Sequence, residues 1–175
     1  MNKAKTLLTA LAFSAVIPIT QADIYLGGNY LYLDYSEEEI DLDLGALYLR
    51  GGYQFSDWAA VEVRAGTGIN EDTLFFMGER VKAELNELYG AYFVAGIPNS
   101  TLFYPYLVAG YTRGELEASV GGYSASDSES DFSYGIGTDL RFSENFAANI
   151  EFMRYLDKDG FEMDGLSAGI KYTFK

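Results

Sequence analysis

From residue 24 to residue 174 the chain repeatedly alternates apolar with polar or small residues, in runs of about ten, a period of two that predicts half-buried strands. Eight such runs stand out, at 24–34, 44–55, 59–69, 84–96, 102–114, 132–142, 146–156 and 165–174. In the last run Leu166, Ala168, Ile170, Tyr172 and Phe174 form one row, and Ser167, Gly169, Lys171 and Thr173 form the other. The run before it sets Phe146, Ala148, Ile150 and Phe152 against Ala147, Asn149, Glu151 and Met153. Earlier, Tyr134, Ile136, Thr138, Leu140 and Phe142 oppose Gly135, Gly137, Asp139 and Arg141, while Val61 and Val63 oppose Glu62 and Arg64.

A soluble barrel would produce the same alternation with its apolar row turned inward and long, hydrated side chains outside. Here the second row mixes glycine and serine with single charges of both signs, which suits the interior of a narrow barrel. Tilted strands of about ten residues also match the thickness of a bilayer. The pattern therefore predicts an all-β, eight-stranded antiparallel up-and-down transmembrane β-barrel, with Val61, Val63, Ile136, Leu140, Ile150, Phe152, Leu166, Ile170, Tyr172 and Phe174 facing lipid. Connections at Ser56-Asp57, 97–101 and 143–145 are short, whereas 35–43, 70–83, 115–131 and 157–164 are longer and acidic. Tyr25, Tyr30, Tyr32, Tyr53, Trp58, Tyr104, Tyr106, Tyr155, Tyr172 and Phe174 lie near run ends and are expected in interfacial girdles.

Residues 1–22 stand apart. Lys3 and Lys5 precede an uncharged, largely apolar run from Leu7 to Ile17, followed by Thr20-Gln21-Ala22. That run is too short to span a membrane as a helix and fits a secretory signal peptide cleaved before Asp23. The barrel domain is then 23–175.

Composition narrows the chemistry. The 175 residues include no Cys and no His, which removes the usual general base and the commonest metal ligand. Acidic residues outnumber basic ones 26 to 12, the wrong sign for a phosphate-neutralising nucleic-acid binder. No enzymatic activity, cofactor or metal centre is expected. Asp157 to Asp164 superficially suggests a calcium loop, yet lacks its spacing and is expected to be a turn between strands.

Gly51-Gly52-Tyr53-Gln54-Phe55-Ser56, followed by Ala60-Val61-Glu62-Val63, resembles the second hairpin of the small OmpA-type outer-membrane β-barrels. The resemblance continues through Tyr134 to Phe142, Asn149-Ile150-Glu151-Phe152 and the closing Leu166 to Phe174. It implies a barrel in the outer membrane of a Gram-negative bacterium, with both termini in the periplasm and a lumen closed by charged pairs. Glu62 and Asp139 match interior carboxylates of that family, while the family's basic partner on the seventh strand falls at Asn149. The Tyr172-x-Phe174 ending resembles the signal recognised by the outer-membrane assembly machinery, although Lys175 follows it. The peptidoglycan-binding domain of longer members has no counterpart in 23–175, so a cell-wall tether is not expected.

Charges on the inward row must be arranged as a near-neutral network, because an unpaired buried charge is costly. Arg50, Arg64, Arg113, Arg141 and Lys171 are expected to face Glu62, Glu87, Asp139 and Glu151, acting as a plug. The longer connections, taken as 34–43, 70–84, 115–131 and 157–164, hold 19 acids and 3 bases. A structural or surface-interaction role follows, with outer-membrane lipid, lipopolysaccharide bridged by divalent cations, and a basic or cation-bridged partner outside the cell. A small pore or a conduit for hydrophobic molecules is the alternative.

Overall fold

The computed structural model describes residues 23–37, 40–76, 79–120, 123–158 and 161–175; the expected signal peptide lies outside them. Nine strands follow in order: β1 (Asp23–Glu37), β2 (Ile40–Ser56), β3 (Ala59–Gly68), β4 (Glu71–Phe76), β5 (Glu79–Gly96), β6 (Phe103–Val120), β7 (Tyr123–Arg141), β8 (Phe146–Lys158) and β9 (Phe161–Phe174). Neighbours pair antiparallel around the sheet, β1 pairs with β9, and β3 pairs with β5, which closes a barrel. β3 and β4 are successive parts of one stave, so the barrel has eight. The break falls at Ile69-Asn70, where the Ile69 N–H donates to Gly45 O at 2.8 Å and the Gly45 N–H donates to the Asn70 side chain.

The strands outrun the predicted runs at one end only. The short turns, Asp23 and Lys175 share the other end, the periplasmic side by the usual arrangement of such barrels. At the outer end the expected loops are largely continued hairpins. β1 and β2 pair out to Glu37 and Ile40, and β6 and β7 pair out to Val120 and Tyr123. Acidic, serine-rich sequence looks like loop because it lacks an apolar row, but hairpin pairing needs only backbone.

These extensions do not close into a ring. β4, β5, β6 and β7 continue as one four-stranded wall, and β2, β1, β9 and β8 as another. Between them, the β7–β8 ladder stops at Tyr134 opposite Arg154, and the β2–β3 ladder stops at Ala46 opposite Gly68. The barrel wall is therefore split above the membrane by two clefts among the described residues.

Outward side chains define a lipid band. Val61, Val63, Ile136, Leu140, Ile150, Phe152, Leu166, Ile170 and Phe174 are exposed, and Tyr172 is half-exposed against Phe146 and Phe174. Nothing in a water-soluble barrel would explain so much bare apolar surface. Aromatic rings bound the band on both sides: Phe142, Phe146, Tyr172 and Phe174 are in successive contact near the short turns, and Tyr111, Phe132 and Tyr134 near the hairpins. Phe132 on β7 and Phe142, the residue just after its end, represent the two belts ten positions apart. That is about 34 Å along a strand and roughly 25 Å along the barrel axis at the usual tilt, the height of an outer-membrane apolar band. Tyr30, Tyr32, Tyr53 and Trp58 also point outward. Tyr25, Tyr104, Tyr106 and Tyr155 do not: they are buried in the lumen, and their expected place in the girdles is corrected.

The lumen accommodates these rings because glycines stand opposite them. A Cβ on Gly52 would overlap the Tyr25 ring, and one on Gly137 would overlap Tyr106. At Gly110 the obstacle is backbone, since a Cβ there would meet the carbonyl oxygen of Ala91 and the Cα of Tyr92. Gly110→Ala is therefore expected to destabilise the barrel by about 1–3 kcal/mol, as forced overpacking does. Urea titration of the protein refolded into lipid vesicles measures this, and an unchanged midpoint would refute it.

Candidate functional site: the lumen and the outer walls

The lumen is built in layers. Nearest the periplasm, the Arg141 guanidinium lies 4.1 Å from the centre of the Tyr104 ring, and the Tyr104 hydroxyl donates to Asp57 O at 2.8 Å. Arg141 lines a vestibule of about 380 Å³ with Gln54, Asp57, Glu144 and Lys175. It is thus at the mouth, outside the central ion cluster, because it is the last residue of β7. One step inward, Lys171 pairs with Asp139 across 32 residues of sequence, and its ammonium lies 4.8 Å from the Tyr25 ring centre.

The central layer is an ionic knot. Arg50 and Arg64 are directly opposite each other on β2 and β3, a like-charge pairing that would be destabilising alone. Glu62 resolves it by accepting from Arg50 Nη2 at 2.6 Å and from Arg64 Nε at 2.6 Å. Arg64 then reaches across the lumen to Glu151 on β8 with Nη1 at 2.5 Å and Nη2 at 2.9 Å, a two-pronged contact. Tyr25 donates to Glu62 at 2.6 Å and Tyr106 to Glu151 at 3.0 Å. The Arg64 guanidinium also lies over the Tyr92 ring, 4.5 Å from its centre. Beside the knot, Asn149 accepts from Asn29 at 2.9 Å and donates to Tyr106 at 3.2 Å. Where the resemblance implied a base on this strand, an amide pair stands instead, and the cations come from β2, β3 and β9.

Above the knot the lumen becomes apolar. Leu31, Leu33, Leu44, Ala46, Leu85, Leu88, Met153 and Met163 are all buried and form one cluster with Tyr48 and Tyr155. A polar chain crosses its edge from Tyr92 through Thr112 and Ser133 to the carbonyl of Tyr155. This apolar lid was not anticipated, although its signal was present. The inward parity of Asn29 continues to Leu31 and Leu33, and that of Ser167 continues through Gly165 to Met163.

Two expected members of the network lie elsewhere. Glu87 is exposed, because a bulge between Leu85 and Glu87 inserts one residue and turns both Leu85 and Leu88 inward. Arg113 is exposed beyond Tyr111 on the outward row of β6, where Nη2 donates to Ser128 Oγ at 2.7 Å. On β6 the inward row carries Tyr104, Tyr106 and Val108, so both faces are greasy and the facing cannot be taken from polarity.

Outside the membrane the walls are acidic. Asp127 and Glu129 are exposed on the inward parity of β7, with Asp131 half-buried below them. On the other wall Arg154 is held by Asp164 at 2.8 Å, Glu162 at 3.1 Å and Asp157 at 3.6 Å, so its charge is already matched. The segment 157–164, expected as a simple turn, is largely strand: β8 and β9 pair out to Lys158 and Phe161.

The model of a family described as outer membrane protein beta-barrel domain matches residues 6–174. No curated protein sequence matches the chain. Among solved structures, Ail, the attachment invasion locus protein of Yersinia pestis in complex with the heparin analogue sucrose octasulfate, has a TM-score of 0.67 at 16% identity, over 88% of this chain and 99% of that one. Neisserial surface protein A gives 0.64 at 16% identity over 86% and 97%. OprG from Pseudomonas aeruginosa gives 0.56 at 14% identity over 87% and 95%. At these identities the likeness is one of fold.

Proposed function

Because the chain belongs to the outer membrane protein beta-barrel domain family and is a Gram-negative outer membrane protein, we propose that it is a sealed scaffold whose work is done outside the membrane. The observation that carries this reading is the double closure of the lumen. The ionic knot of Arg50, Glu62, Arg64 and Glu151 fills one level, and the cluster around Leu31, Leu33, Leu44 and Met163 fills the next. An ion must displace both, and an apolar solute must pass a layer of buried charge. The role is then envelope integrity or adhesion, exerted through the four acidic hairpins and the surrounding lipid. Lipopolysaccharide packs against the outer half of the band, and the Tyr172-x-Phe174 strand serves assembly.

Charge specifies the partner. Sucrose octasulfate is a polyanion, but the outer segments of this chain carry 19 acids against 3 bases. They repel a polyanion unless a divalent cation bridges it, and they attract a basic surface. Binding to a basic partner is expected to weaken steeply as salt rises from about 0.05 to 0.5 M, because exposed charges are screened within a Debye length of about 10 Å at 0.1 M.

Planar bilayer recording tests the seal. The purified barrel is expected to give no conductance above baseline at moderate voltage, and Arg141→Ala at the mouth is expected to stay equally silent because both closures lie deeper. Discrete ohmic steps from the unmodified protein would overturn the sealed-scaffold reading in favour of a pore.

A further inference from the structure

β7 is paired along its whole length on one side and along less than half of it on the other. β6 accompanies it from Leu140 to Tyr123, whereas β8 leaves it beyond Tyr134. At the base of the resulting cleft two side chains replace the missing ladder. Ser133 Oγ donates to Tyr155 O at 2.9 Å, and the Asp157 N–H donates to Asp131 Oδ2 at 3.2 Å. Above this latch no described strand lies beside β7 from Tyr123 to Ser130 on that side. Every residue from Tyr123 to Asp127 is exposed, and the alternation of buried and exposed positions found lower in β7 is lost. The chain thus holds about 25 Å of extended edge, in β geometry, with no described strand paired to it on the cleft side; within it the Ser128 N–H donates to its neighbour Asp127 Oδ1 at 2.9 Å, a local contact that an incoming strand replaces.

We propose that this edge of β7 accepts an extended, cationic segment of another protein as an added strand. The inference rests on the sealed-scaffold reading and names the mode by which its acidic surface engages a partner. Two features select the occupant. Backbone groups along an unpaired edge supply affinity for any strand, while the side-chain rows supply specificity. One row here is Asp127, Glu129 and Asp131, on the inward parity of β7. A second copy of this chain would set acid against acid across the new ladder, which disfavours self-pairing in the way charged edges do. A strand bearing Lys or Arg at alternate positions meets the same row with opposite charge. The other row, Ser124, Ser126, Ser128 and Ser130, is small and leaves room for any residue type.

The test separates backbone pairing from charge. The full barrel in lipid nanodiscs is titrated with a ten-residue peptide of alternating Lys and Thr, and with the same peptide N-methylated at alternate residues on one edge. Methylation keeps the charge and removes backbone donors. The unmethylated peptide is expected to bind, to slow amide exchange at alternate residues between Ser124 and Ser130 at least tenfold, and to lose at least tenfold in affinity on methylation of one of its two edges. Asp127→Asn with Asp131→Asn is expected to weaken binding without removing the protection at saturation. Equal affinity of all peptides, or protection elsewhere, would overturn strand addition while leaving the acidic surface as a partner site. Absence of binding by every peptide, or a peptide-free barrel whose edge is already protected in a dimer, would overturn the proposal outright. Conductance above baseline would instead refute the sealed scaffold.

Discussion

Glu62→Gln is expected to destabilise the folded barrel by about 3–5 kcal/mol, the usual cost of removing one partner from a buried ion pair. The size follows from what remains. Arg64 keeps Glu151, but Arg50 has no other acidic partner among its described contacts, and its Nη1 already lacks a hydrogen bond. The side chains of Arg50 and Glu62 are essentially inaccessible, so water does not replace the lost charge cheaply. The glutamine preserves shape and can still accept from Tyr25, which confines the change to charge. Adding Arg50→Met should restore most of the loss, since two charges are then removed together and the methionine fills much of the same volume. Equilibrium urea unfolding in lipid vesicles gives the free energies of the parent, the single variant and the double variant. A cost below about 1 kcal/mol for the single change would mean that solvent reaches the pair and that the knot is no seal.

The same region shows why some of this molecule was legible in sequence and some was not. On β3, β8 and β9 the inward row differs in kind from the outward one. Glu62 and Arg64, Asn149 and Glu151, and Ser167 and Lys171 all sit between residues that belong in lipid, so parity gives the facing. On β5 and β6 both rows are apolar. Tyr92 and Val94 line the lumen while Phe93 faces out, and Tyr106 and Val108 line it while Leu107 faces out. Tyrosine served both environments, in the girdles through its amphipathic ring and in the lumen through its hydroxyl. Tyr25 and Tyr106 show the second use, each donating to a buried carboxylate. Arg113 was misplaced for that reason. Glu87 was misplaced for another: a one-residue bulge at Asn86 leaves no mark in composition yet reverses every later side chain.

The outer hairpins failed differently. Periodicity reports burial, and β7 from Tyr123 to Asp127 buries neither face, so nothing in the sequence marks it as a strand. The hairpin alone sets its register. A strand specified in this way has no packed surface to lose when a partner joins its edge, so the least legible part of the barrel is also the part left open to contact. Charge compensates for the missing pattern. With the acidic excess concentrated in these walls, neighbouring barrels repel one another even though their edges are open.

Ile170→Arg is expected to cost about 2–4 kcal/mol, the penalty for a lipid-facing arginine near the bilayer midplane. Its depth is fixed by register. Ile170 is opposite Gly28 on β1 and Ala148 on β8, four residues from the lower belt at Phe174 and four from Leu166, which is opposite the outer Tyr32. The side chain is 62% exposed, so arginine meets lipid and has no lumenal acid to pair with. Leu166→Arg, on the same row but level with the outer belt, is expected to cost no more than about 1 kcal/mol, because the penalty falls toward the interface. The gradient matters more than either value. Equal costs at the two positions would mean that the substitutions disturb packing alone and that the band between the belts does not coincide with the hydrocarbon. Lys171→Leu supplies the opposite sign of evidence at the neighbouring inward position. It leaves Asp139 buried without its ion-pair partner and should destabilise a barrel in which even-numbered β9 residues face lipid. If it were neutral while Ile170→Arg cost nothing, the faces of β9 would be reversed.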